Sequence, residues 1–126
     1  MDSDNEKKIG IVGSRNFTDY EKFCKSIFLV LQNWNINIKD ITIISGGAAG
    51  ADTLAEIFAS KYNLAIEIYK PDWKKYGKSA GIIRNTDIVK NSTHIIAYPS
   101  REGRGTQDTI KKAQAKNIPV KILFID

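Results

Sequence analysis

The sequence is short of every residue type that would tie it to an oxidising compartment, a metal or a membrane. It has one cysteine, Cys24, so no intramolecular disulfide can form. With Phe23, Ile27 and Phe28 close by in sequence, that thiol reads as a small buried hydrophobe rather than a reactive group. No run approaches the roughly 20 apolar residues that span a bilayer. The N-terminus, MDSDNEKK, lacks the apolar stretch and cleavage site of a signal peptide. A cytoplasmic location without membrane contact is therefore expected. One histidine, His94, and scattered carboxylates supply no dedicated metal site, and no cofactor is expected. Three prolines and the absence of repeats, low-complexity tracts or linkers leave the 126 residues to form one domain. That domain is placed at residues 8–126, behind a flexible tail of residues 1–7.

What is present is ordinary for a globular core, with 42% hydrophobic residues, but the charge is not balanced. The formal charge of +5 favours anionic partners. Much of the excess lies in Lys70, Lys74, Lys75 and Lys78, and in Lys111, Lys112, Lys116 and Lys121. A nucleotide, a nucleic acid and a purely solubilising role all fit these lysines.

Two periodicities alternate along the chain. β-Branched runs at 8–12, 41–45, 64–69, 93–98 and 119–125 read as strands. Between them, apolar residues recur at helical spacing: Phe23, Cys24, Ile27, Phe28 and Leu31 after a candidate cap at Asp19, then Leu54, Ala55, Phe58, Ala59 and Tyr62. Residues 80–89 and 106–116 give two further helices, and residues 72–79 and 99–105 read as loops. Alternation with short connections implies right-handed crossovers and a mostly parallel sheet covered on both faces. The expected fold is a Rossmann-like three-layer α/β/α domain with a mostly parallel five-stranded sheet. Ligands of such sheets sit beyond the carboxyl ends of the strands.

The residues at those ends are small, polar or basic. Gly13, Ser14 and Arg15 follow the first strand. Ser45, Gly46 and Gly47 lead through small residues to Asp52 after the second, and Gly103, Arg104, Gly105 and Thr106 follow the fourth. Glycine admits a ligand close to the backbone, arginine grips phosphate bidentately, and a helix N-terminus favours an anion. The plainer alternatives are tight turns for the glycines, a cap for Thr106, a helix-dipole or loop-bonding role for Asp52, and solvated surface positions for Arg15 and Arg104. Arg84, with Asn85 beside it, either pairs with a local carboxylate or faces the ligand cleft. Trp73 and Tyr76 either stack on a base, close as a lid, or pack on the sheet edge. His94 reads as structural.

GSRNFTDY (13–20), SGGAAGADTLAE (45–56), YGKSAGIIRN (76–85) and GRGT (103–106) together resemble the small stand-alone SLOG proteins of the YspA-like type, over residues 8–125. That superfamily also holds the LOG phosphoribohydrolases and the Rossmann domain of the DNA-processing protein DprA. The resemblance implies a Rossmann-like fold and a cleft for ADP-ribose-like ligands, with Gly13, Ser14, Arg15, Gly46, Gly47, Gly103, Gly105 and Thr106 on the phosphate. It implies that Asp52 supports the site and that Arg84 matches the arginine of the hydrolytic relatives, its one catalytic candidate. LOG enzymes carry PGGxGTxxE, and here Arg101, Glu102 and Gly103 stand in place of PGG. Thr109 falls at the glutamate, while Asp108, one residue early, lies about 100° around the helix. Half of the acid–base machinery is thus missing.

Three functions follow in order: binding or sensing a nucleotide-derived small molecule, hydrolysis of a nucleoside monophosphate at its N-glycosidic bond, and single-stranded nucleic-acid binding. The resemblance also implies a homo-oligomer, for which Trp34 and Ile36 are the exposed apolar candidates.

Overall fold

The computed structural model describes residues 6–100 and 104–125, with Arg104 described in its backbone only. Five strands, β1 (Lys7–Gly13), β2 (Ile41–Ser45), β3 (Ala65–Ile68), β4 (His94–Tyr98) and β5 (Val120–Ile122), form one sheet. Its order is β3-β2-β1-β4-β5, and every pairing is parallel. Helices α1 (Tyr20–Asn33), α2 (Ala51–Lys61), α3 (Trp73–Tyr76), α4 (Ala80–Lys90) and α5 (Arg104–Ala115) make the crossovers.

The layers follow from the two-residue period of the strands. Ile9, Ile11, Ile43, Ile96 and Tyr98 point to one face, where they pack with Phe23, Ile27 and Val30 of α1 and Leu54, Ala55 and Phe58 of α2. Val12, Ile44, Ile95 and Ala97 point to the other, against Ile88 and Val89 of α4 and Ile110 and Ala113 of α5. Strands buried on both faces need apolar residues at successive positions, which is why they read as continuous runs. The chain winds outward from β1 through β2 to β3, then returns to start β4 on the opposite side of β1. The order therefore reverses between β1 and β4, and a crevice opens beyond their carboxyl ends.

Several expectations are corrected. β1 begins at Lys7, inside the stretch expected to be tail; residues 1–5 lie outside the described residues. The tract 72–79, expected as loop, forms α3 and a 3-10 turn (Gly77–Ser79), because Asp72 caps it by accepting from the Lys75 amide at 3.1 Å. The last strand, expected over 119–125, pairs with β4 only at Val120–Ile122. One further ladder bond, Leu123 N–H to the Ala97 carbonyl at 2.8 Å, closes it, and Phe124 beyond is 70% exposed. Trp34 and Ile36 are not surface residues awaiting a partner: both are half-buried against the α1–α2 core. The Trp34 ring lies 4.7 Å from that of His94, whose Nδ1 also meets the Thr93 hydroxyl at 2.9 Å. Among the described residues no helix is long and apolar enough to cross a membrane.

Candidate functional site

The loop after β1 is fastened to its neighbours by its own backbone. Ser14 N–H donates to the Tyr98 carbonyl at the end of β4 (2.9 Å), and the Ser14 carbonyl accepts from Ala51 N–H at the start of α2 (3.1 Å). The Ser14 hydroxyl accepts from Asn16 N–H at 3.1 Å and turns the chain under Arg15. Gly50 makes this closeness possible. It has φ +80°, and a side chain there would strike the Ser14 carbonyl oxygen and the Arg15 backbone. In sequence Gly50 is one more small residue in the tract; only the approach of two loops from distant positions marks it out.

The loop after β2 is held from both sides. Asp52, 6% exposed, accepts from Ala48 N–H at 3.1 Å. From α4, Arg84 donates through Nη1 to the Gly46 carbonyl at 2.8 Å and through Nε to Asn85 Oδ1 at 3.0 Å. A Cβ on Gly46 would collide with the Arg84 guanidinium and come within 2.9 Å of Asp52 Oδ2, so glycine is required where the two groups converge. Burial pushes the Asp52 carboxyl up to about 6, against the Ala48 amide and the Arg84 charge, which pull it down. Burial also lowers the Arg84 pKa; Asp52 opposes that and Arg15, a second cation nearby, adds to it.

Asn85 carries the same network to α5. Buried at 5% exposure, it accepts from Arg84 and donates to the Gly105 carbonyl (3.2 Å) and to Asp108 Oδ2 (3.1 Å). Lys112 closes the far side, bonding Asp108 at 2.8 Å and the Ile82 carbonyl at 2.8 Å. Asp108 is thereby occupied between Asn85 and Lys112, while Thr109, 1% exposed, faces the crevice.

These elements enclose a cavity of about 410 Å³. Of the expected residues, Gly13, Ser14, Arg15, Asp52, Arg84, Asn85, Gly105 and Thr106 line it. Ser45, Gly46 and Gly47 do not. They form the turn behind Arg84 and Asp52, with Ser45 Oγ accepting from Gly47 N–H at 3.2 Å, so their place is to position the lining rather than to be part of it. Trp73 and Tyr76 also lie outside the wall, on the exposed surface of α3. Thr106, the third residue of α5, lies within the helix rather than at its cap. Gly103 lies outside the described residues, as does the side chain of Arg104. Sequence reasoning missed Val12, Asn16, Ile88 and Ser100 in the wall. Asn16 directly follows Arg15 and Ser100 lies in the expected loop at 99–105, whereas Val12 and Ile88 read only as core. Among the described residues no group of three or more His, Cys, Asp or Glu side chains comes together.

Two guanidinium groups, one buried carboxyl, a hydroxyl from each of Ser14, Thr106 and Thr109, and the first turn of α5 thus surround one space. Residues 8–76 match the family described as "YspA, cpYpsA-related SLOG family". The Gene 61 protein of Mycobacterium phage D29 is 33% identical over 86 residues, covering 64% of this chain and 69% of that protein. DNA processing protein A from Streptococcus pneumoniae has the same fold with a TM-score of 0.70 at 19% identity, over 93% of this chain and 50% of that one. The corresponding protein from Helicobacter pylori, described for its single-stranded DNA binding mode, gives a TM-score of 0.66 at 20% identity over 94% and 66%. The chain spans about half the length of the pneumococcal protein.

Proposed function

The chain belongs to the YspA, cpYpsA-related SLOG family, and we propose that its cavity binds a phosphate-bearing, nucleotide-derived ligand of the ADP-ribose type. The observation that carries this reading is the meeting of Arg15 and Arg84, from opposite parts of the chain, over one cavity that the first turn of α5 also lines. Guanidinium pairs bind phosphate with two parallel hydrogen bonds each, and helix N–H groups add a directed partial charge. The bonds of Arg84 to Gly46 and Asn85 fix its plane and leave Nη2 without a partner among the described residues. The volume, about 410 Å³, lies at the lower end of small-molecule sites and suits one phosphate-bearing half of such a ligand. The single-stranded DNA binding described for the Helicobacter protein belongs to the same class of anionic, nucleotide-built ligands.

Binding is favoured over N-glycosidic hydrolysis by Thr109. It occupies the wall where a second acid–base group is needed, and Asp52 is already committed to the Ala48 amide. Calorimetric and thermal-shift titration with ADP-ribose, its cyclic isomers, NAD and AMP tests the reading. Saturable binding of at least one, weakened tenfold or more by Arg84→Ala, is expected. No binding at millimolar concentration by a folded protein overturns it. Release of free base from AMP or CMP would instead establish the hydrolytic alternative.

A further inference from the structure

The short segment from Lys70 to Lys78 has no role in the cavity, yet its composition and position are distinctive. It holds four lysines, Lys70, Lys74, Lys75 and Lys78, against one carboxylate, Asp72, whose oxygen is already used to cap α3. All four lysines are exposed, and no ion pair between described residues engages them. Two aromatic rings are interleaved with them. Trp73 is 57% exposed and Tyr76 40%. Lys75 Nζ stands 5.1 Å from the Tyr76 ring centroid and occupies that ring, which leaves Trp73 as the open face. One exposed ring is ordinary on a protein surface; what sets Trp73 apart is the group of cations around it, unpaired among the described residues.

The location ties this surface to the crevice. The stem of Lys70 runs across Gly47, with its Cγ 3.0 Å from where a Cβ on Gly47 would lie, and Gly46 beside it is the carbonyl gripped by Arg84. The tip of the Trp73 indole lies 3.7 Å from the corresponding point on Gly81. Gly81 and Arg84 are three residues apart on α4, hence on one face and one turn apart. Cations and an open aromatic face therefore continue outward from the cavity mouth along the same edge of the sheet.

We propose that the α3 surface binds single-stranded nucleic acid, with a base stacked on Trp73 and phosphates on the surrounding lysines. Charge alone would take any polyanion. The exposed ring selects an unpaired strand, because only there is a base face available for stacking. This surface goes beyond the small-ligand cavity and is separable from it by mutation.

Anisotropy of a fluorescein-labelled 12-nucleotide oligothymidylate, titrated with the full chain, tests it. Binding is expected at ~50 mM salt, with a log–log salt slope of roughly −2 to −3 for three or four phosphate contacts on a single strand. Trp73→Ala is expected to weaken it about tenfold or more, as loss of one stacked base does. The pair Lys74→Gln and Lys75→Gln is expected to reduce the slope by about 1.4, from two lost contacts. A duplex of the same length is expected to bind more weakly than the single strand. Affinity for AMP, where the cavity binds it, is expected to stay within twofold in Trp73→Ala. Absence of binding at ~50 mM salt, equal affinity for the duplex, or an unchanged Trp73→Ala overturns the proposal. Loss of AMP binding in Trp73→Ala also overturns it, by assigning the ring to the cavity. If no small ligand binds at all, the oligonucleotide measurements still decide this surface on their own.

Discussion

Glycines in the marked loops differ sharply in what they tolerate, and the differences are measurable. At Gly50 an added methyl group meets the Ser14 carbonyl with the backbone at φ +80°, so Gly50→Ala is expected to cost about 2–4 kcal/mol in denaturant unfolding. A Cβ on Gly105 meets nothing within 4 Å, and Gly105→Ala is expected to be neutral or stabilising by up to about 1 kcal/mol. Asp52 supplies a pH dependence. Its carboxyl is raised from an ordinary 3.8 to about 6, so the folded protein holds its proton more tightly than the unfolded chain does. The stability this contributes is fully present below the unfolded value and is lost as pH rises through the folded one. Relative to Asp52→Asn, the wild type should lose about 2 kcal/mol between pH 4 and pH 6, measured by urea titration at each pH. Anion binding should tighten as pH falls through the same range, because protonation removes a negative charge from the wall. At this scale the sequence named most of the lining, since glycine, arginine and serine at strand ends are chemically conspicuous. It could not separate lining from support. Whether Gly46 faces a ligand or the back of Arg84 depends on a helix that starts more than thirty residues later.

Between elements, the α4–α5 contact depends on Asn85, whose single amide satisfies Arg84, Gly105 and Asp108. Asn85→Leu removes three hydrogen bonds at a buried position, leaving the Arg84 Nε–H without its acceptor, so it is expected to cost about 2–4 kcal/mol by thermal or denaturant unfolding. Because Asn85 also orients Arg84, the same variant is expected to weaken ligand binding. Asp108→Ala leaves the Asn85 bonds to Arg84 and Gly105 in place and should lower affinity less. A measured order of Asp108→Ala below Asn85→Leu would contradict this relay. The elements themselves were largely legible. β2 runs over the expected residues, and Asp19 caps α1 by accepting from the Lys22 amide at 3.1 Å. Misreadings fell where periodicity carries no signal. Polar residues at 72–79 hid a capped turn of helix, and the apolar residues after Ile122 suggested a strand longer than β4 can pair. Asn85 was marked only by its proximity to Arg84, because a buried amide linking two helices leaves no trace in spacing.

Across the whole molecule, the strand order distributes stability unevenly. β1 is the central strand, paired on both sides at Ile9, Gly10 and Ile11, and β2 and β4, each also paired on both sides, are almost wholly buried. β3 and β5 are edges, four and three residues long, with none of their residues fully buried. Local opening follows such differences, since few buried contacts and exposed amides lower the free energy of opening. Amide hydrogen exchange is therefore expected to be slowest in β1, then β2 and β4, with β3 and β5 faster by an order of magnitude or more. The crevice lies on the seam between the two halves of this sheet, where the β1 loop, the β2 loop, α4 and α5 share a connected set of bonds. A ligand that bridges Arg15, Arg84 and the first turn of α5 engages both halves together. Its addition should slow exchange at residues 13–16, 46–52 and 104–109 together, while leaving the edges β3 and β5 as they were. Protection confined to one of these segments would mean that the ligand sits outside the shared cavity.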